Sequence, residues 1–255
     1  MEQVSKILQM PTAISEEQSN NPEFEEKRKE EKRTLKIVEE LNEREFTEHD
    51  ITRKFRISGI SNRHLNASIN NIAKNLQNDL KGFFNKESYY IYGDVGCGKT
   101  YLVSALLKEY ISKNRYEAVR GTVGKFNPNP SPFRTYLKSP ILPRFISIPD
   151  LLLKIRLAFK DNSEFTEESI ISEFTEESFL VLDDIGVEKP SEWVMQTLYT
   201  IIDRRNRDIK QTIFTSNYAI KDLRDRVGER IVSRIVELCG KNNILNLKGK
   251  DRRLA

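Results

Sequence analysis

Gly93-Asp94-Val95-Gly96-Cys97-Gly98-Lys99-Thr100 is the stretch on which the reading of the whole chain turns. Its spacing is G-x-x-x-x-G-K-T, the phosphate-binding P-loop. Such a loop needs a strand before it and a helix after it. Ser88-Tyr89-Tyr90-Ile91-Tyr92, aromatic and β-branched, supplies the strand. Leu102, Leu106 and Tyr110, each four residues from the next, supply one face of the helix. Glycines let successive backbone N–H groups wrap a phosphate, and the helix N-terminus adds partial positive charge. Lys99 is spaced to reach the β- and γ-phosphates of ATP, and Thr100 to hold Mg²⁺.

The second anchor is Phe179-Leu180-Val181-Leu182-Asp183-Asp184-Ile185-Gly186. Four apolar residues running together fit a strand buried on both faces of a parallel sheet. Two carboxylates at its end are costly unless something pairs with them, and the Mg²⁺ of a bound ATP would. Asp183 is therefore the candidate metal ligand, and Asp184 the candidate group polarising an attacking water. Asp is also common as a helix N-cap at a strand end, so the pair alone says little. Its place 84 residues after Lys99 gives it weight.

The 255 residues make one large domain, or one domain and a smaller piece. The cysteines, Cys97 and Cys239, form no ligand cluster, and the histidines, His49 and His64, have no metal spacing. No apolar run approaches a membrane span and no signal-peptide core is present, so a cytoplasmic protein without membrane contacts is expected. Net charge is +4, from 42 basic and 38 acidic side chains. From Asp203 to Arg253 the count is 14 Lys/Arg against 7 Asp/Glu. That stretch is either a phosphate-facing lobe or a solvated basic surface.

Residues 22–45 are dense in Glu, Lys and Arg, with Pro22 placed to open a helix. Leu35, Val38 and Leu41 draw one narrow apolar stripe along it. It reads either as a partner-binding arm or as a helix packed on its own domain or partly disordered. The expected division is a charged helical arm over 1–54 and the main domain over 55–255. Phe55 to Ile60 reads as a lead-in loop. Leu65, Ile69, Ile72, Leu76, Leu80 and Phe83 have helical spacing across the core. Arg120 to Arg144 holds five prolines, so no regular element is expected there, and it reads as an insertion near 120–144. A mobile surface loop is the preferred account of it. Its interleaved Lys125, Phe126, Phe133, Arg134 and Tyr136 would also suit a clamp on single-stranded nucleic acid. A strand at Phe145–Ile148 and a helix through Phe159 follow. An acidic nine-residue unit then repeats over 163–178, and no chemistry attaches to it. A helix at Ser191–Asp203 leads into the buried strand Thr212–Thr215, ending in Ser216-Asn217. Asn217, at the carboxyl end of a parallel strand, either orients water beside the γ-phosphate or simply makes a turn. On the helix starting at Gly228, Arg230 and Arg234 share one face and Ile231, Ile235 and Leu238 the other. The arginines either reach a phosphate in a neighbouring subunit or form surface ion pairs with Asp225 or Glu229.

The order of these pieces resembles a known family. G-x-x-x-x-G-K-T, LVLDDIG, a helix ending IIDRR, TIFTSN, GERIVSRI and a closing G-K-D-R-R follow one another as in the DnaC/DnaI helicase-loader and IstB-type AAA+ ATPases. The likeness covers roughly residues 55–254. It implies an α/β fold, an AAA+ αβα sandwich around a parallel sheet. It also implies roles: Asn217 as the sensor that orients water, Arg234 with Arg230 beside it as an arginine finger acting across a subunit boundary of a homo-oligomer, and Arg253 as a γ-phosphate contact within its own subunit. Arg252 stands where the family commonly has an aromatic residue. The family's loaders place a replicative helicase on single-stranded DNA, with the N-terminal segment binding the helicase. The expectation is an ATP-hydrolysing replication protein with helicase and single-stranded DNA as partners. The alternatives are an IstB-like ATPase assisting a transposase on double-stranded DNA, and a non-hydrolysing adaptor, which the intact Asp183-Asp184 pair disfavours. A small-molecule kinase would leave the paired arginines without a role.

Overall fold

The computed structural model describes residues 22–43, 47–114, 117–120, 135–138, 140–158, 165–187, 191–249 and 251. In chain order these form α1 (Pro22–Glu43), α2 (Glu48–Ile57), α3 (Lys74–Asp79), β1 (Tyr89–Tyr92), α4 (Lys99–Lys113), β2 (Glu117–Arg120), β3 (Thr135–Lys138) and β4 (Arg144–Ser147). There follow α5 (Ile148–Leu157), α6 (Glu167–Glu176), β5 (Phe179–Asp183), α7 (Glu192–Arg207), β6 (Gln211–Ser216), α8 (Ile220–Val227), α9 (Glu229–Cys239) and β7 (Ile244–Asn246). Among the described residues no helix is long and apolar enough to cross a membrane.

Two compact units divide the chain, Met1–Glu45 with Arg115–Pro140, and Phe46–Asn114 with Ile141–Ala255. The first contains α1 and an antiparallel β2–β3 pair running from Glu117 opposite Lys138 to Arg120 opposite Thr135. Along α1, Leu35, Val38 and Leu41 are half-buried and Ile37 is exposed, so the stripe is as narrow as its spacing implies. The pairing corrects the expectation of no regular element within 120–144. The described residues of β3 contain no proline, so their N–H groups remain available to a ladder. In the structure α2 belongs to the second unit.

In that second unit all five strands of the main sheet are parallel, in the order β4-β5-β6-β1-β7. Parallel neighbours need crossover helices, and those helices cover both faces. The strand side chains alternate accordingly. Tyr90, Leu180, Leu182 and Phe214 point into one core with α5, α6, α7, α8 and α9. Tyr89, Ile91, Phe179, Val181 and Ile213 point into another with α2 and α4. Burial on both faces is why β5 reads as an unbroken apolar run.

The segment 65–84 is broken, not one helix. Two 3₁₀ turns, Asn62–His64 and Ile69–Asn71, precede α3, and a third, Lys81–Asn85, follows it. Ser61 and Ser68 accept backbone N–H bonds that start the first two turns, which competes with a continuous helix. The apolar spacing still marks the inward side chains: Ile72, Leu80 and Phe83 are buried and Leu65, Ile69 and Leu76 pack against them. The expected lead-in loop is also largely helix. Thr47 and Asp50 form a capping box that starts α2, with Thr47 N to Asp50 Oδ2 at 3.2 Å and Asp50 N to Thr47 Oγ1 at 3.1 Å. Past its end, Ser58 O accepts from Phe145 N at 2.7 Å, which covers the open edge of β4. Gly59 makes that approach possible: its φ is +88°, and a Cβ there would lie 2.4 Å from Phe145 O.

Candidate active site

The loop between β1 and α4 and the ends of β5 and β6 meet at the carboxyl edge of the sheet, the usual place for a ligand in an open α/β fold. Gly98 caps α4 with φ +103°, and Lys99 begins the helix. The Lys99 side chain is buried and turns back over the loop. Its ammonium donates to Gly93 O at 2.8 Å, Asp94 O at 2.9 Å and Asn217 Oδ1 at 2.7 Å, which uses all three donors. The P-loop lysine and Asn217, 118 residues apart, are thus in direct contact.

Thr100 Oγ1 lies 3.2 and 3.1 Å from the two carboxylate oxygens of Asp183. Asp183 is buried, and Thr215 Oγ1 donates to its Oδ1 at 2.6 Å. Burial pushes its pKa up to about 6, with the neighbouring Asp184 adding to the rise and the hydroxyls of Thr215 and Thr100 opposing it. Asp184 turns out of the strand at φ +61°, a left-handed conformation that L side chains seldom take. Its N–H donates to Thr215 Oγ1 at 2.9 Å, and Ile185 N donates to Thr215 O at 2.9 Å.

These groups open on a cavity of about 260 Å³ lined by Gly96, Gly98, Lys99, Thr100, Asp184 and Asn217 on one side and by Arg63, His64, Val95 and Tyr101 on the other. The second set was not legible in the sequence. Arg63 and His64 come from a 3₁₀ turn, and the Tyr101 hydroxyl anchors the following segment by accepting from Ser68 N at 3.4 Å and Asn71 Nδ2 at 3.1 Å. The His64 and Tyr101 rings meet edge to face at 6.4 Å. Burial, then the charge of Arg63, lowers the His64 pKa, which favours neutral imidazole.

A divalent cation fits the polar end of this cavity. Among the described residues no group of three His, Cys, Asp or Glu side chains could hold a metal unaided. Mg²⁺ in nucleotide sites is held by one or two protein oxygens plus phosphates. A buried carboxylate whose hydrogen-bond partners are hydroxyls is such a donor set.

Behind the loop, Leu247 N donates to Tyr92 O at 2.7 Å. A Cβ at Gly93 would fall 2.2 Å from Leu247 O, and Asp251 lies against Gly96, so the segment after β7 backs the glycine turn. Arg253 and Arg252 lie outside the described residues. Neither Arg230 nor Arg234 lines the cavity of its own chain. Arg230 is exposed. Arg234 pairs with Asp203 at 2.9 Å and Glu237 at 2.8 Å, whereas Glu229 pairs with Arg224 at 2.7 Å. Part of the basic 203–253 stretch is ion-paired in this way: Arg204 meets Glu168 at 2.7 Å and Arg207 meets Asp203 at 3.3 Å. Arg205 is fully buried.

No protein-family profile matches the chain. Curated proteins do. It is 24% identical over 204 residues to the replicative helicase loader DnaC of Escherichia coli K12, covering 76% of this chain and 72% of that protein. It is 26% identical over 154 residues to the DnaC of Buchnera aphidicola from Baizongia pistaciae, covering 60% of this chain and 52% of that protein. The chain therefore spans only about half the length of the Buchnera relative. Among solved structures, that of a DnaC helicase loader superimposes with a TM-score of 0.54 at 24% identity, over 74% of this chain and all of that one. The chain resembles DnaC helicase loaders in sequence and shares the fold of a solved one. The replication initiator DnaA bound to AMPPCP and single-stranded DNA shares the fold, with a TM-score of 0.52 at 17% identity over 75% of this chain and 51% of that one. In this chain the P-loop is reached through a capped α2 and a broken 62–85 segment.

Proposed function

We propose that the protein binds and hydrolyses ATP and uses that cycle to load a replicative helicase onto single-stranded DNA in the cytoplasm. The supporting observation is the convergence of Lys99, Thr100, Asp184 and Asn217, drawn from three strand ends, on one cavity, with the buried Asp183 carboxylate behind it against the Thr100 hydroxyl. The loader part of the reading follows the named relatives.

In this reading the loop amides and the Lys99 ammonium bind the β- and γ-phosphates, exchanging some of the lysine's present carbonyl bonds for phosphate oxygens. Thr100 and Asp183 hold Mg²⁺, which when bound offsets charge building on the transferred phosphoryl group. Asp184 faces the cavity and accepts the proton of the attacking water. Asn217 has committed its Oδ1 to Lys99, so its amide N–H groups are what it can offer to water or to a phosphate oxygen. Arg63, His64 and Tyr101 give the far wall a guanidinium and two ring surfaces against which a purine can lie. Arg234, half-buried on α9, acts on a neighbouring subunit's site.

The Lys99→Ala variant tests the site. It removes the cation that spans loop and sensor, and is expected to lose ATP binding and turnover together. Turnover at the wild-type rate would reject the assignment. Co-purification with a replicative helicase, and helicase transfer to single-stranded DNA coated with binding protein, test the loader role.

A further inference from the structure

Three hydroxyls close the far end of the site, and one of them has no role so far. Thr100 belongs to the P-loop. Ser216 Oγ donates to Ile185 O at 2.7 Å and accepts from Tyr218 N at 3.1 Å, which ties one turn to another. Thr215 is different. Its side chain is wholly buried on β6, between the two aspartates at the end of β5.

We propose that Thr215 is a positioning residue for the metal ligand Asp183 and the water-polarising Asp184, acting through both at once. The proposal rests on the Mg²⁺-nucleotide reading of the cavity. One hydroxyl has one proton to give and lone pairs to receive. Here the proton goes to Asp183 Oδ1 at 2.6 Å, and a lone pair takes the Asp184 N–H at 2.9 Å. The first bond fixes the carboxylate rotamer, so that both oxygens stay within 3.2 Å of the Thr100 hydroxyl. The second holds the peptide that carries Asp184 into its left-handed conformation, φ +61°. A strained residue of this kind persists where its surroundings over-determine it. That twist is what turns the Asp184 side chain out of the sheet and onto the cavity wall.

A valine in place of Thr215 keeps the shape and removes both bonds. Partners one shell out from a metal are typically worth about 10–100-fold in metal affinity or activity. The loss should fall on the metal-dependent part of nucleotide binding, because no atom of Thr215 lines the cavity.

The test titrates a fluorescent ATP analogue into the full-length protein, once in EDTA and once across a Mg²⁺ series, and follows ATP turnover over the same series. For Thr215→Val the affinity in EDTA is expected to stay within about twofold of wild type, with the Mg²⁺ midpoint raised about tenfold or more. Thr215→Ser, which keeps the hydroxyl, is expected to return the midpoint to near wild type. A Thr215→Val protein with a wild-type Mg²⁺ midpoint overturns the proposal. So does an equal loss of affinity with and without Mg²⁺, which would make the residue merely structural. If the valine variant does not fold, Thr215→Cys serves instead, since its weaker donor should raise the midpoint in the same direction while serine does not. Wild-type protein that binds no nucleotide under either condition overturns the underlying reading first, and is seen before any Thr215 variant is compared.

Discussion

Asp183 shows how a single buried group carries an electrostatic cost for function. Its folded pKa is raised to about 6 by burial, so the folded protein holds a proton that the unfolded chain releases at lower pH. Where the folded state binds more protons, stability falls as pH rises. This group therefore favours the folded form below its unfolded pKa and loses that contribution as pH climbs through about 6. An Asp183→Asn variant, kept in EDTA, should gain in melting temperature relative to wild type between pH 5 and pH 7, as read by thermal denaturation. An offset that does not change between the two pH values would exclude a raised Asp183 pKa. That Lys99, Thr100, Asp183 and Asp184 would lie together was legible because each sits in a short motif with fixed local spacing. Arg63, His64 and Thr215 were not. A threonine in TIFTSN is simply a good strand former. Its meaning arises only when β5 lies beside it, with Leu182 opposite Phe214.

At the scale of elements, Arg205 shows why the outer side of the sheet holds together. It is fully buried near the end of α7, yet no carboxylate neutralises it directly. Its Nη1 donates to Phe174 O at 2.9 Å, Thr175 O at 3.2 Å and Glu177 O at 2.7 Å, its Nη2 to Gln211 O at 2.7 Å, and its Nε to Thr212 Oγ1 at 2.9 Å. The carbonyls of residues 174, 175 and 177 are those left open at the C-terminal end of α6, where the helix dipole favours a cation. One side chain thus joins α6, α7 and β6. Arg205→Met keeps the length but strands several buried acceptors, and should cost roughly 2–4 kcal/mol in urea denaturation. The IIDRR ending announced a helix with a basic last turn, but not that its second arginine points inward. Helix phase explains it: Leu198, Ile201 and Ile202 define the buried face, and Arg205 falls four residues after Ile201. Elsewhere the apolar spacing of 65–84 identified inward residues but overstated continuity, because serine caps restart the chain twice. The capping box at Thr47 was a signal for α2 that the lead-in-loop reading passed over.

For the molecule as a whole, the testable point is whether Arg234 serves the site of a neighbouring subunit. Arg234 pairs with the partly buried Asp203 and the exposed Glu237 at the protein surface, where ion pairs add little to stability, so Arg234→Ala should fold normally. If its guanidinium completes a neighbour's site, Arg234→Ala should bind ATP yet hydrolyse it ~10²-fold or more slowly, within the range known for arginine fingers. Mixing it with Asp184→Asn should then restore measurable turnover, since one pairing in the mixed assembly joins an intact finger to an intact pair of aspartates. No recovery on mixing would argue that the arginine acts elsewhere.

The backing of the glycine turn by the segment after β7 bears on how the protein is made. β1 and its loop leave the ribosome about 150 residues before Leu247 does. Until that late segment arrives, Tyr92 O lacks the bond from Leu247 N, and Gly93 faces no carbonyl. Contacts so distant along the chain form slowly. The glycine turn of the nascent protein should therefore be completed in one late step rather than by degrees.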